Sequence, residues 1–75
     1  MNTQELGKAF MERRKSAGIT QRDLAELCDV ALHTISDLES GKGNPTLAVI
    51  NRISAVLGLE IVIRPRSTVL TGISS

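Results

Sequence analysis

Aromatic residues are almost absent from this 75-residue chain: Phe10 is the only one, with no Trp and no Tyr. Single-stranded nucleic acids are held by stacking bases on several aromatic rings, and sequence-specific RNA readers use the same device. Both classes therefore fit poorly. Cysteine is equally scarce. Cys28 stands alone, which excludes an internal disulfide and a thiolate zinc cluster. It reads as a small apolar residue closing a helix, in a protein kept in a reducing compartment. No apolar run approaches the roughly eighteen residues of a membrane span, and no secretory leader pattern is present. A cytoplasmic protein without a membrane partner is expected. The chain has one His, no spacing that pairs a nucleophile with a base, and no Gly-rich phosphate loop opening a helix, so neither an enzyme nor a cofactor is expected. The net charge is only +1, and charge alone does not point to nucleic acid.

What is present is helical periodicity. The length allows one domain, which is marginal alone unless its helices pack densely or a partner adds surface. A first helix is predicted over Thr3 to Ser16, capped by Asn2 with Glu5 completing a capping box. Leu6, Ala9, Phe10, Arg13 and Ala17 are placed on one face, and Gly18 supplies the left-handed stop. A second helix follows Thr20, with Leu24, Ala25 and Leu27 inward and Asp23 at its positive end. Asp29 and Val30 make a tight turn, with Val30 plugging the corner. A third helix runs from about Leu32 to Ser40, begun by the poor cap Ala31 and ended by Gly41, with Ala31, Ile35 and Leu38 toward the core. A fourth runs from Thr46 to Gly58. Its stripe of Leu47, Ile50, Ile53 and Leu57, widened by Val49 and Val56, exceeds what one small core requires.

The segment Leu59 to Arg64, LEIVIR, alternates as a strand does and is closed by Pro65. A lone strand leaves its backbone groups unpaired. Pairing with the same strand of a second copy is the simplest remedy, so a two-fold dimer is expected, with Val49, Val56, Leu59, Ile61, Val62 and Ile63 at its interface. Residues 1–65 are thus read as one domain that includes the dimerisation surface, and residues 66–75 as a flexible tail.

Ile19 to Pro45, ITQRDLAELCDVALHTISDLESGKGNP, carries the functional signal. Two short helices joined by a tight turn, the second with one apolar and one small, polar face, have the form of a helix-turn-helix. Gln21 and Arg22 start the second helix, where free N–H groups and the helix dipole favour a phosphate. Ser40, Lys42, Gly43 and Asn44 follow the third helix and are placed against a neighbouring phosphate. Leu32, His33, Thr34, Ser36 and Asp37 face outward from it. Leu32 suits a thymine methyl, His33 a guanine acceptor and Asp37 the cytosine amino group. Glu39 falls on the inner edge of the third helix and needs a partner; Arg14 is the best placed, as a structural ion pair.

The ordered set Gly18-Ile19-Thr20-Gln21, Leu24-Ala25, Val30, Thr34-Ile35-Ser36, Leu38-Glu39, Gly41-Lys42, Asn44-Pro45 and Leu57-Gly58 resembles the Xre/Cro helix-turn-helix regulators, which include the lambdoid phage repressors. That resemblance implies a mostly α fold, a lambda-repressor-like four-helix domain, here with one C-terminal β-strand pairing with its copy. It implies phosphate contacts at Gln21 and at the Lys42 loop. It further implies a homodimeric repressor on a palindromic double-stranded operator. The ending LEIVIRPR resembles the HipB-like antitoxins, which implies an autoregulated operon and a HipA-like serine/threonine kinase toxin as partner. The alternative is a stand-alone or phage-type regulator with no toxin. Ala31 and Leu32 replace the usual polar start of the reading helix, and Asp37 stands where a basic or amide side chain is common.

Overall fold

The computed structural model describes residues 1–65. They form α1 (Thr3–Ser16), α2 (Gln21–Cys28), α3 (Leu32–Glu39) and α4 (Leu47–Leu57). Each boundary has a local cause. Asn2 caps α1 by accepting the Glu5 N–H at 2.8 Å, but the return bond expected from the Glu5 side chain is not formed. The full capping box sits on α2 instead. There the Thr20 hydroxyl accepts from the Asp23 N–H and the Asp23 carboxylate accepts from the Thr20 N–H, both at 3.0 Å. The Thr20 N–H, with the hydroxyl second, holds the Asp23 carboxyl below the usual carboxylate range. Thr46 caps α4 through the Val49 N–H at 3.2 Å. The turn after α2 places Asp29 in the left-handed region at φ 55°, which a short polar side chain tolerates better than most.

Two arginines close helix ends from other helices. Arg13 donates from Nε to the Leu57 carbonyl at the end of α4 (2.8 Å), and Arg52 donates to the Cys28 carbonyl at the end of α2 (3.3 Å). Cations suit these negative ends, where the last carbonyls lack helical partners.

Phe10, Leu24, Ala25, Cys28, Ile35, Leu38, Ile53 and Leu57 form the core, with Leu6, Ile19, Val30, Val49, Ile50 and Leu59 packed at its margin. Burial pushes the Cys28 thiol up, against a smaller opposing effect of Arg52; at neutral pH it packs as an apolar group. Helices α1 and α3 cross closely because residue 7 has no side chain: a Cβ there would lie 2.0 Å from the Leu38 carbonyl oxygen.

Several expectations are corrected. The buried face of α1 is Gly7, Phe10 and Arg14, while Ala9, Arg13 and Ala17 are exposed. Leu27 is 62% exposed: with Leu24, Ala25 and Cys28 inward, it stands roughly 100° from the centre of that face at 100° per residue. Ala31 is exposed, and α3 ends at Glu39 rather than Ser40. Leu47, the first residue of α4, lines an apolar depression with Leu6, Ile50 and Ile61 instead of entering the core. Ser54 is buried with no partner for its hydroxyl among the described residues, a position the apolar stripe did not mark.

Residues 59–65 have no regular secondary structure, so the strand expected over Leu59–Arg64 is not formed. A strand needs a ladder partner, and no other strand exists among the described residues. Leu59 and Val49, both expected at a dimer interface, are half-buried against this chain's own core. Ile61, Val62 and Ile63 are exposed by 44%, 54% and 94%. The tail expected over residues 66–75 lies outside the described residues. No helix among the described residues is long and apolar enough to cross a membrane.

Gly7→Ala should lower stability by about 2 kcal/mol or more despite the better helix propensity of Ala, because the clash is with backbone and the helices must move apart; urea titration measures it. Because the Asp23 carboxyl is depressed, its stabilisation is present above the ordinary carboxylate range and is lost as pH falls through the depressed value. Asp23→Asn should therefore be less stable at neutral pH and lose less on acidification, as read by melting temperature against pH.

Candidate nucleic-acid interface

Helix α3 divides the chain into an inside and an outside. Ile35, Leu38 and Glu39 are buried, while Leu32, His33, Ser36 and Asp37 on the same two turns are exposed and Thr34 is half-buried. With eight residues and a period of 3.6, side chains at 35, 38 and 39 share one sector and those at 32, 33, 36 and 37 the remainder. Leu32 keeps 40% of its surface, which is available to an apolar contact. Ala31 makes no side-chain cap, so the exposed face begins with Leu32 and His33.

The loop after α3 folds back on it. The Lys42 N–H donates to the Asp37 carbonyl at 2.8 Å and the Gly41 N–H to that of Leu38 at 3.1 Å. Gly41 sits at φ 77°, and a Cβ there would meet the Gln4 side chain at 2.7 Å. The Thr3 hydroxyl donates to the Gly41 carbonyl at 3.3 Å, so the start of α1 braces the end of α3. A depression of about 150 Å³ lies between α3 and the loop, with His33, Thr34, Asp37, Lys42 and Asn44 in its wall. Gly43 sits beside it at φ 74°, with nothing within 4 Å of where a Cβ would stand. Among the described residues Asp37 has no cation within salt-bridge distance. Ser40 is used locally: its hydroxyl donates to the Asp37 carbonyl at 3.0 Å. While that bond stands, its only proton is not free for the phosphate to which the sequence reading assigned it.

Behind this face lies the Arg14–Glu39 pair. Arg14 donates from Nε to Glu39 Oε2 at 2.6 Å and from Nη2 to Oε1 at 2.9 Å. The two side chains are only 10% and 3% exposed. The third arm, Nη1, donates to the Ile19 carbonyl at 2.8 Å, just before the cap of α2. The hydrogen bond to Glu39 raises the guanidinium above its ordinary value, against desolvation, so Arg14 keeps its charge. Gln21 joins it, donating from Nε2 to Glu39 Oε1 at 3.0 Å. Sequence reasoning placed Gln21 at the first turn of α2 facing a phosphate; here the half-buried side chain also turns toward the ion pair. Arg22, beside it, is exposed. The Gln21–Glu39 bond, the Arg13 and Arg52 caps and the Gly7 crossing were all missed, because each joins residues far apart in the chain.

The helix-turn-helix family, HTH_3, matches residues 10–63, most of the described chain and both helices of the motif. The chain belongs to this family, of the Xre type. An uncharacterized HTH-type transcriptional regulator of Methanothermobacter thermautotrophicus is 45% identical over 49 residues, spanning 65% of this chain and 71% of that protein. Endothelial differentiation-related factor 1 of Homo sapiens is 37% identical over 59 residues, 79% of this chain but 40% of the human protein. A putative multi-protein-binding factor 1 of Yarrowia lipolytica is 32% identical over 56 residues, 75% of this chain and 37% of the yeast protein. The chain thus spans about two-fifths of the length of these eukaryotic relatives.

Removing one partner of the buried pair leaves an uncompensated charge. Glu39→Ala should cost about 3–5 kcal/mol. The joint replacement Arg14→Met/Glu39→Leu, which leaves no buried charge, should regain most of that. Urea titration of the two variants checks the difference.

Proposed function

We propose that this chain is a sequence-specific, double-stranded DNA-binding transcriptional repressor, with α3 in the major groove. The observation that carries the reading is the division of α3: a buried half that fixes the helix and an exposed half of small or medium side chains matched to base edges. Leu32 offers apolar surface to a thymine methyl, His33 a donor to guanine and Asp37 an acceptor for the cytosine amino group. Thr34 and Ser36 flank them. Gln21 and Arg22 at the start of α2, with Lys42, Gly43 and Asn44 after α3, contact the phosphates on either side. Ser40 contributes as an acceptor or by holding the loop.

The repressor acts as a homodimer. The exposed Ile61, Val62 and Ile63 adjoin a furrow of about 590 Å³ lined by Leu6, Ala9, Phe10 and the 59–64 segment, which shares no residue with the reading face. A second copy adding its own Leu59–Arg64 as an antiparallel strand supplies the missing ladder partner and covers that apolar surface, with Val56 at the margin. Two reading helices then meet successive major grooves of a palindromic operator, about 34 Å apart. Binding blocks transcription by occupancy.

The LEIVIRPR ending supports a more specific reading, the antitoxin of a HipA-like kinase operon that represses its own expression in the cytoplasm. The alternative is a stand-alone or phage-type regulator. The name of the yeast relative, a multi-protein-binding factor, lends some weight to a role in holding another protein, and the furrow is a surface suited to it. Co-purification with the product of a neighbouring kinase-like gene decides between these, and a chain that captures no such product is a stand-alone regulator.

Selection of bound duplexes from a random pool, followed by titration at two salt concentrations, tests the DNA reading. Lys42→Ala should weaken binding to all sequences and reduce the log–log salt slope by roughly 0.9, the share of one neutralised phosphate. Asp37→Asn removes a negative charge from the reading face. It should tighten binding to random duplex while narrowing the preference for the selected site, and loss of affinity for both would refute the assignment of Asp37.

A further inference from the structure

Glu39 is buried, yet one of its oxygens is shared between the scaffold and the DNA face. Oε1 accepts from Arg14 Nη2 at 2.9 Å and from Gln21 Nε2 at 3.0 Å. Arg14 meanwhile holds the Ile19 carbonyl at 2.8 Å, which fixes the backbone two residues before Gln21. The first turn of α2 is therefore gripped twice from behind, once through its backbone and once through the Gln21 side chain.

The chemistry of that grip is directional. An ionised carboxylate only accepts, so it dictates which end of the Gln21 amide turns inward: the NH₂ group, with one of its two protons consumed. The second proton remains. A solvated glutamine adopts many rotamers and presents either end of its amide, and ordering such a side chain on binding costs affinity. Held by Glu39, it has one orientation before DNA arrives.

We propose that Glu39 is a positioning residue for DNA binding: anchored by Arg14, it holds the Gln21 amide with its remaining N–H ready for a backbone phosphate. This rests on the DNA-binding reading above and gives the buried ion pair a role beyond joining α1 to α3. It also has a consequence that runs against simple electrostatics. Glu39→Gln removes a negative charge and on charge alone should favour DNA. Through Gln21 it should instead weaken binding, since a glutamine at 39 can present either amide end and no longer dictates the orientation of Gln21.

The test is a double-mutant cycle on duplex affinity. Gln21→Ala, Glu39→Gln and the combined variant are titrated with a selected duplex and with random duplex, each protein first shown to be folded by its helical circular dichroism. Arg14→Met/Glu39→Leu serves as a second route, since it leaves the net charge unchanged and removes the carboxylate without stranding the arginine. Gln21→Ala is expected to weaken both duplexes in parallel by roughly tenfold, the loss of one hydrogen bond to a charged acceptor, with the salt slope unchanged because a neutral amide displaces no counterion. Removal of the carboxylate by either route should cost most of the same factor, and nothing further once Gln21 is already Ala. Additive losses, or full affinity in folded variants lacking the carboxylate, would overturn the role of Glu39 while leaving the DNA reading intact. If the unaltered protein binds no duplex, the DNA reading falls and this proposal falls with it.

Discussion

The buried Arg14–Glu39 pair is the constraint on which the arrangement of this small protein depends. Three guanidinium hydrogen bonds leave α1: two reach the end of α3 and one reaches the loop that starts α2. Ionised groups this far from water are tolerated only when their hydrogen-bonding capacity is filled. Here the filling partners come from three separate elements. The geometry that satisfies the charges also fixes the angle between the two helices of the motif. Hydrophobic burial alone, which is non-directional, would leave that angle less sharply defined.

Around this pair the chain uses economical devices. Gly7 lets α1 approach the end of α3 closely enough for the guanidinium to reach the carboxylate. Arg13 and Arg52 bond the carbonyls at the ends of α4 and α2, so two of the nine basic residues also serve to join the helices. Helix α3 itself carries no Lys or Arg; the exposed Arg22 lies in the first turn of α2 and the exposed Lys42 in the loop after α3. Such a surface would draw affinity from a few phosphates and discrimination from a face with few charges, and Asp37, with no cation in reach among the described residues, would disfavour duplexes that offer no amino group there.

Much of this architecture was legible in the residues. The helix bounds followed from Asn2, Thr20, Thr46, Gly18, Gly41 and Gly58, because caps and left-handed stops are local chemistry. Arg14 and Glu39 pointed to one another because a carboxylate on an inner face requires a cation. The failures share another cause. Leu27 and Leu47 have apolar side chains at plausible helical positions, and among the described residues their neighbours leave most of each side chain uncovered. Ser54 and Gly7 lie inside although neither is apolar in the usual sense, because burial is settled by where the neighbouring helix lies. The LEIVIR alternation describes a strand, but a strand also requires something to pair with, which one chain's described residues do not contain.

By itself, then, the order of amino acids determined four helices, their ends to within a residue, the family and the set of side chains facing outward from α3, since period, capping and turn chemistry act over a few residues. The tertiary structure alone decided that Gln21 leans on Glu39, that Arg13 and Arg52 close other helices and that Val49 and Leu59 belong to the core margin. Each of these depends on distances between segments well separated in the chain. Such distances are set by the packing of all the helices together, and no local pattern encodes them.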